Sequence, residues 1–281
     1  MRGGRFILYA AGLAAALALS HWGCAQRERA LTIKGSDTMV ILGQRWAETY
    51  MKEHPGALVQ VTGGGSGTGI AALINGTTDI CQSSRPLKDD EKRQLTEKFG
   101  GPGHETIVAM DGIALYAHQD NPVSEMTLDQ VKAVYTGAIT NWKDLGGPDA
   151  PVVVYSRENN SGTYEYFKDH VLGGADFAAG VQTLPGTAAV VNAVAQEPRA
   201  LGYGGAAYAK GVKEIAIRRD ASSPAVLPSL ETVRSGEYPI ARNLFYYTRR
   251  APEGAAKAFI DWALSEAGQA IVTEVGYYPV R

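Results

Sequence analysis

Short apolar runs alternate with longer amphipathic ones along most of the chain, and glycine and hydroxyl residues collect at the joints. Leu31-Thr32-Ile33 predicts a strand, and Met39, Leu42, Trp46 and Tyr50 then recur near helical spacing until His54-Pro55-Gly56 ends that helix. Leu58 to Val61 predicts a second strand. Ile70 to Ile74 predicts a short helix with Asn75-Gly76 as its C-cap, and Asp79 to Gln82 a third strand. The charged run Lys88 to Lys98 reads as a solvated helix face. Ile107 to His118 has the pattern of a long strand crossing between two lobes. Beyond it the alternation restarts with a predicted helix from Leu128 to Val134, a strand from Val152 to Tyr155, helices from Thr163 to Leu172 and Thr187 to Ala195, and a strand from Leu201 to Tyr203. Leu244 to Tyr247 reads as a strand returning to the first lobe, and Pro252 opens one amphipathic helical segment running to Val275.

Strand and helix in this rhythm predict an α/β protein with parallel sheets, and no tandem repeat suggests a solenoid. The architecture expected is two α/β lobes joined by two crossings, with a ligand cleft between them. Lobe one would comprise 31–112 and 241–281, and lobe two 113–240.

Three joints share one design, a strand-like run breaking into a turn that opens a helix-like run. They are Gly35-Ser36-Asp37-Thr38, Gly63 to Gly69, and Arg157-Glu158-Asn159-Asn160-Ser161-Gly162-Thr163. A helix start exposes N–H groups that the helix itself cannot satisfy, and the helix dipole adds positive partial charge there. Turns of this kind converging on one point would hold a small tetrahedral oxyanion. Read alone, the first is equally an ordinary helix cap. The second has five glycines in seven residues, more than capping requires. It is not a Walker A loop, because no lysine follows. Gly67-Thr68-Gly69-Ile70-Ala71-Ala72 fits a dinucleotide fingerprint, but the next strand ends in Ser83-Ser84-Arg85 without the acidic residue that binds ribose. The third carries Arg157, whose rigid fork suits bidentate contact with an oxyanion, with Glu158 or Asn159 placed to anchor it. Arg85 faces either the ligand or, as the preferred reading, the solvated lobe rim.

Composition narrows the ligand. Hydrophobic residues make up 45% and charged ones 20%, and the formal net charge is -2, so no basic field draws nucleic acid or anionic membranes. An anion site must be built locally, which favours a small buried anion. The five histidines are scattered, no Cys/His spacing suggests a metal, and no cofactor is expected. Arg2 and Arg5 precede an apolar stretch from Phe6 to Leu19, which reads as an export signal. Cleavage behind Gly23 would leave Cys24 lipidated, the preferred reading, and the signal region with its lipobox cysteine is taken as 1–24. The lipobox is poor, with His21 and Trp22 before Gly23, and ordinary cleavage after Ala25 is the alternative. Cys81, the other cysteine, reads as a buried free thiol rather than a disulfide partner of Cys24.

Gly35-Ser36-Asp37-Thr38-Met39, Gly65-Ser66-Gly67-Thr68-Gly69, Ser83-Ser84-Arg85-Pro86 and Arg157 through Thr163 together resemble the PstS-type phosphate-binding proteins of ABC importers. So do Met110 through Val123 and Leu128 through Trp142, the latter with its Thr-Gly-Ala-Ile-Thr-Asn-Trp run. The resemblance covers Leu31 to Arg281. It implies a class II periplasmic-binding-protein fold, a monomer, that closes on inorganic phosphate and delivers it to ABC permease subunits, touching the membrane only through a lipid anchor. By position it implies phosphate ligands Ser36 or its neighbours Asp37 and Thr38, then Ser66 and Ser84, from lobe one. From lobe two it implies Arg157, Ser161, the Gly162 N–H and Thr163. One departure matters: several family members carry aspartate where this chain has Ser84, and that aspartate accepts the phosphate proton and rejects sulfate. Asp37 is the candidate replacement acceptor. Sulfate, molybdate or tungstate remain alternative ligands, and an exported phosphatase using Ser66 or Ser161 as nucleophile, or an adhesion module, are the rival functions.

Overall fold

The computed structural model describes residues 29–280, so the signal segment and Cys24 lie outside the described residues. The chain enters the sheet at Leu31–Gly35 (β1), turns through a 3-10 segment Asp37–Met39, and continues into helix Val40–Glu53 (α1). Strand Val59–Thr62 (β2), helix Ser66–Ile74 (α2), strand Ile80–Ser83 (β3) and helix Asp89–Phe99 (α3) complete a parallel β2-β1-β3 sheet, as the alternation predicts. Helix α3 buries only Leu95, in keeping with a solvated face.

The predicted crossing strand is fourteen residues long, His104–Ala117 (β4), and its two halves serve different partners. The first half, to Gly112, pairs antiparallel with Ala241–Thr248 (β10), which also pairs with β3. The second half, from Ile113, pairs with Ala200–Gly205 (β8) and Lys213–Arg218 (β9). Val153–Arg157 (β6) lies parallel to β8 and to Gln182–Leu184 (β7), with helices Leu128–Tyr135 (α4), Gly162–His170 (α5) and Gly186–Gln196 (α6) between these strands. β4 and β10 are therefore the two crossings, and the fold is a two-lobe α/β structure.

Each lobe has its own core. In one, fully buried Trp46 meets Tyr246 edge-on with ring centroids 5.8 Å apart, and its indole N–H donates to the Gly268 carbonyl at 2.8 Å. In the other, Phe167 stacks on Tyr203 at 3.9 Å and Tyr135 closes edge-on against both. Burying side chains of this size contributes about 1.5–3 kcal/mol each. Cys81 is buried and free; burial pushes its thiol pKa well up.

The C-terminal helical segment departs from expectation. It is two helices, Gly254–Ala263 (α8) and Glu266–Val275 (α9), because Ser265 stops the first and caps the second by accepting the Gly268 N–H at 3.3 Å. Pro252 stands outside the first turn, ahead of the N-cap Glu253. Strands Glu125–Thr127 (β5), β7 and β9, and the short helix Leu230–Arg234 (α7), were not predicted.

Glu214 on β9 carries a buried Oε1 with no hydrogen-bond partner, and burial raises its carboxyl pKa. A raised folded pKa means that the folded state holds this proton more tightly than the unfolded chain. The group therefore favours folding at low pH, and that advantage is lost as pH rises through the folded pKa. Glu214→Gln is expected to raise the melting temperature at pH 7 and to leave it unchanged at pH 4. Each ~1 kcal/mol recovered should move it about 2–4 °C. Calorimetric melts at the two pH values check this.

Candidate functional site

All three predicted turns lie at the carboxyl ends of strands and meet between the lobes. In the first, Gly35 has φ +145°, and a Cβ there would sit 2.1 Å from the Gln82 carbonyl oxygen, so only glycine lets β1 end so close to β3. The Ser36 N–H donates to that same oxygen at 2.8 Å. This brings Ser36 beside Ser84, to whose Oγ it donates at 2.9 Å; both residues are buried. Ser36 makes no side-chain cap bond, which removes the ordinary-cap reading of this turn.

In the second turn, Gly64 and Gly65 have positive φ, and α2 begins at Ser66. The Ser66 hydroxyl accepts the Ser84 N–H at 3.1 Å and lies 3.3 Å from the Ser84 hydroxyl. In the third, Ser161 is the N-cap of α5, its Oγ accepting the N–H groups of Thr163 at 3.2 Å and Tyr164 at 3.3 Å. Gly162, the first residue of α5, abuts α2 so closely that a Cβ on it would lie 2.4 Å from Ser66 Oγ and 2.8 Å from Ser84 Oγ. Two helix N-termini from opposite lobes thus face one patch of serine hydroxyls. Contacts through Asn160 hold them there: the Gly67 N–H donates to the Asn160 carbonyl at 3.0 Å, and the Asn160 side-chain Nδ2 to the Gly64 carbonyl at 3.1 Å.

Arg157, the last residue of β6, is 1% exposed. Burial lowers its pKa, opposed chiefly by the Asp37 carboxylate, and an arginine remains cationic. Its guanidinium is anchored by neither Glu158 nor Asn159, as the sequence suggested. Nη2 donates to Asp37 Oδ2 at 2.8 Å and Nη1 to Thr187 Oγ1 at 2.8 Å, while Nε is buried without a partner. The chain geometry explains the exchange: Asp37 Oδ1 is already fixed by the Gly64 N–H at 2.7 Å, so its second oxygen is aimed across the cleft.

Arg85 is not at a solvated rim. It is buried, hydrogen-bonded to both Glu91 oxygens through Nη1 (2.8 Å) and Nη2 (2.7 Å), and ion-paired through Nε with Glu165 of α5 at 2.7 Å. Lys88 reaches the same Glu165 oxygen at 2.9 Å. Ser84's neighbour is thereby spent on joining the lobes.

Sequence reasoning missed Arg242 and Asp111. Arg242 on β10 and Asp111 on β4 are register partners, both buried. Arg242 donates to Asp111 Oδ2 from Nη2 at 2.7 Å and from Nε at 3.1 Å. Burial raises the pKa of the Asp111 carboxyl, an effect that Arg242 opposes without reversing. Arg242 also touches the Ser84 carbonyl and the hydroxyls of Thr38 and Thr163, which lie 2.9 Å apart. Among the described residues no cluster of three or more His, Cys, Asp or Glu could hold a metal, and no helix is long and apolar enough to cross a membrane.

Residues 22–267 match the PBP superfamily domain. The chain is 33% identical over 267 residues to the phosphate-binding protein PstS of Pseudomonas aeruginosa, covering 89% of this chain and 83% of that one. It is 37% identical over 251 residues to PstS of Bacillus subtilis, covering 89% and 80%. The chain belongs to the PstS family of phosphate-binding proteins. Among solved structures, a protein from Clostridium perfringens, assigned as a phosphate ABC transporter substrate-binding protein and crystallised with bound phosphate, superposes with a TM-score of 0.82. It shares 32% identity and covers 90% of this chain and 100% of its own. An ABC-type phosphate transport receptor from Vibrio cholerae gives 0.70 at 28% identity, covering 88% and 99%. Within this PstS-family chain, Ser36, Thr38, Ser66, Ser84, Arg157, Ser161, Gly162 and Thr163 are brought together and buried. Asp37 is turned onto Arg157.

Proposed function

We propose that this protein captures inorganic phosphate between its lobes and delivers it to the membrane subunits of an ABC permease, without covalent chemistry. The observation that carries this reading is the convergence of Arg157, two helix N-termini and six hydroxyls, from both lobes, on one buried patch. Two of these hydroxyls have their acceptor side filled by a backbone N–H. Ser161 Oγ accepts from Thr163 and Tyr164, and Ser66 Oγ from Ser84. A hydroxyl so occupied offers its hydrogen outward, which suits an anion and does not suit a nucleophile awaiting a base.

In this reading Ser36, Thr38, Ser66, Ser84, Arg157, Ser161, the Gly162 N–H and Thr163 hold phosphate. Asp37 is read as the counter-ion of Arg157 rather than the acceptor of the phosphate proton, because Gly64 and Arg157 fix how its two oxygens are turned. The Ser84 hydroxyl is the group left to meet that proton. The lobes are 31–112 with 241–281, and 113–240, with β4 and β10 as hinge strands. The protein is exported and monomeric, held at the membrane through Cys24 or free after cleavage behind Ala25.

Titration calorimetry of purified protein with phosphate and then sulfate tests the reading. One site, a preference for phosphate, and no hydrolysis of p-nitrophenyl phosphate are expected. Absence of phosphate heat, or turnover that disappears in Ser161→Ala, would overturn it.

A further inference from the structure

We propose that Arg242, held by Asp111, is a positioning residue that leaves at least one of the Thr38 and Thr163 hydroxyls as a hydrogen-bond donor toward the ligand, so that the hinge itself sets the polarity of the cleft. The proposal rests on the phosphate reading of the site. Arg242 belongs to one crossing strand and Asp111 to the other, directly opposite in register. The guanidinium has little left to offer a ligand directly. Its Nε and Nη2 donate to Asp111, its Nη1 donates to the Ser84 carbonyl at 3.1 Å, and the second Nη2 hydrogen points between Thr163 Oγ1 at 3.0 Å and Thr38 Oγ1 at 3.4 Å. Thr38 is on the first lobe's turn and Thr163 on α5 of the second.

An arginine only donates, so both threonine oxygens can meet it only as acceptors. Between them the two hydroxyls carry two hydrogens. One can bridge the 2.9 Å gap between the oxygens, and with Arg242 on the acceptor side of both, at least one is left pointing away from the guanidinium. Without Arg242 either hydroxyl could rotate to accept, and a phosphate oxygen would then face a lone pair. The supporting frame is rigid. Tyr277 donates its hydroxyl to the Thr38 carbonyl, Tyr166 donates to the Ala241 carbonyl at 2.6 Å, and the guanidinium lies 5.7 Å from the Tyr166 ring centroid. Lysine could keep the charge opposite Asp111 but could not span Asp111, the Ser84 carbonyl and the threonines together.

A double-mutant cycle tests this, with inorganic phosphate as the calorimetric ligand and melting temperature measured in parallel. Arg242→Lys is expected to weaken phosphate about tenfold with little change in melting temperature. Thr163→Val should weaken it by a similar or larger factor. The double variant should bind less weakly than the product of the two single losses predicts, because Arg242 acts in part through that hydroxyl. Multiplying losses, or wild-type affinity in Arg242→Lys, would overturn the proposal. If Arg242→Lys does not fold, Arg242→Met with Asp111→Leu removes both buried charges together. The same suppression by Thr163→Val is then expected, and its absence counts against the idea. Failure of the phosphate reading is separable, since the unmodified protein would then give no phosphate heat.

Discussion

Replacing Arg157 by methionine is expected to weaken phosphate binding roughly 1,000-fold, enough to abolish measurable heat if the parent affinity is micromolar. Two charge-assisted hydrogen bonds to a phosphate contribute about 1.5–3 kcal/mol each, which alone spans about 150- to 25,000-fold. A second effect adds to this. Arg157 is the partner of Asp37, and removing it leaves a partly buried carboxylate facing the incoming anion. Arg157→Met combined with Asp37→Asn should therefore bind better than Arg157→Met alone, although it has lost one more polar group. Calorimetry on the two variants separates the contributions. A loss below tenfold in the single variant would mean that the guanidinium does not face the ligand.

Gly162→Ala is expected to cost phosphate binding about 100-fold or more while leaving the ligand-free protein folded. The new methyl would stand 2.4 Å from Ser66 Oγ and 2.9 Å from Ser66 Cβ, with Ser84 Oγ at 2.8 Å. Neither serine can yield cheaply, because the Ser84 N–H is bonded to Ser66 Oγ and the Ser36 hydroxyl to Ser84 Oγ. Misplacing binding groups by about 1 Å can cost about 100-fold. Within its own helix, alanine is a better residue than glycine. The conflict exists only where the lobes meet, so the melting temperature without ligand should hold. Small-angle scattering should show compaction with phosphate in the parent and none in Gly162→Ala. Equal compaction in both would mean that α5 never approaches α2 this closely in solution.

The parts legible in the sequence were those set by local pattern. Each turn announced itself by its own glycines and hydroxyls, and Leu31–Gly35 and Ile80–Ser83 by apolar runs ending in turn residues. β9, Lys213–Arg218, sets Ile215 and Ile217 two positions apart within Lys-Glu-Ile-Ala-Ile-Arg, a partial period-2 signal, whereas β5 and β7 have three residues each and too little pattern to read. The missed site residues are missed for a different reason. Asp111 lies between the two apolar runs of β4 and Arg242 near the start of β10, and neither charge means much until strand register sets one opposite the other. Asp37 and Arg157 stand 120 positions apart, so local sequence names each turn without saying which charge answers which. Sequence separation likewise hid the role of Arg85, whose partner Glu165 lies on the other lobe. The broken C-terminal helix followed from overlooking the capping power of Ser265 inside an apolar pattern.

The ion pairs around the cleft also balance one another. Arg157 and Arg242 are matched by Asp37 and Asp111, and Arg85 and Lys88 by Glu91 and Glu165. In the proposed phosphate reading, the side chains in these pairs bring no net formal charge to the ligand, although the cleft holds two guanidinium groups. The cleft then works less as a counter-ion than as a frozen solvent, replacing the mobile dipoles of water with N–H and O–H dipoles already turned the right way. An anion held by such a medium keeps its own charge. Little of its binding energy is exposed to screening by salt, and letting it go separates no net opposite charges.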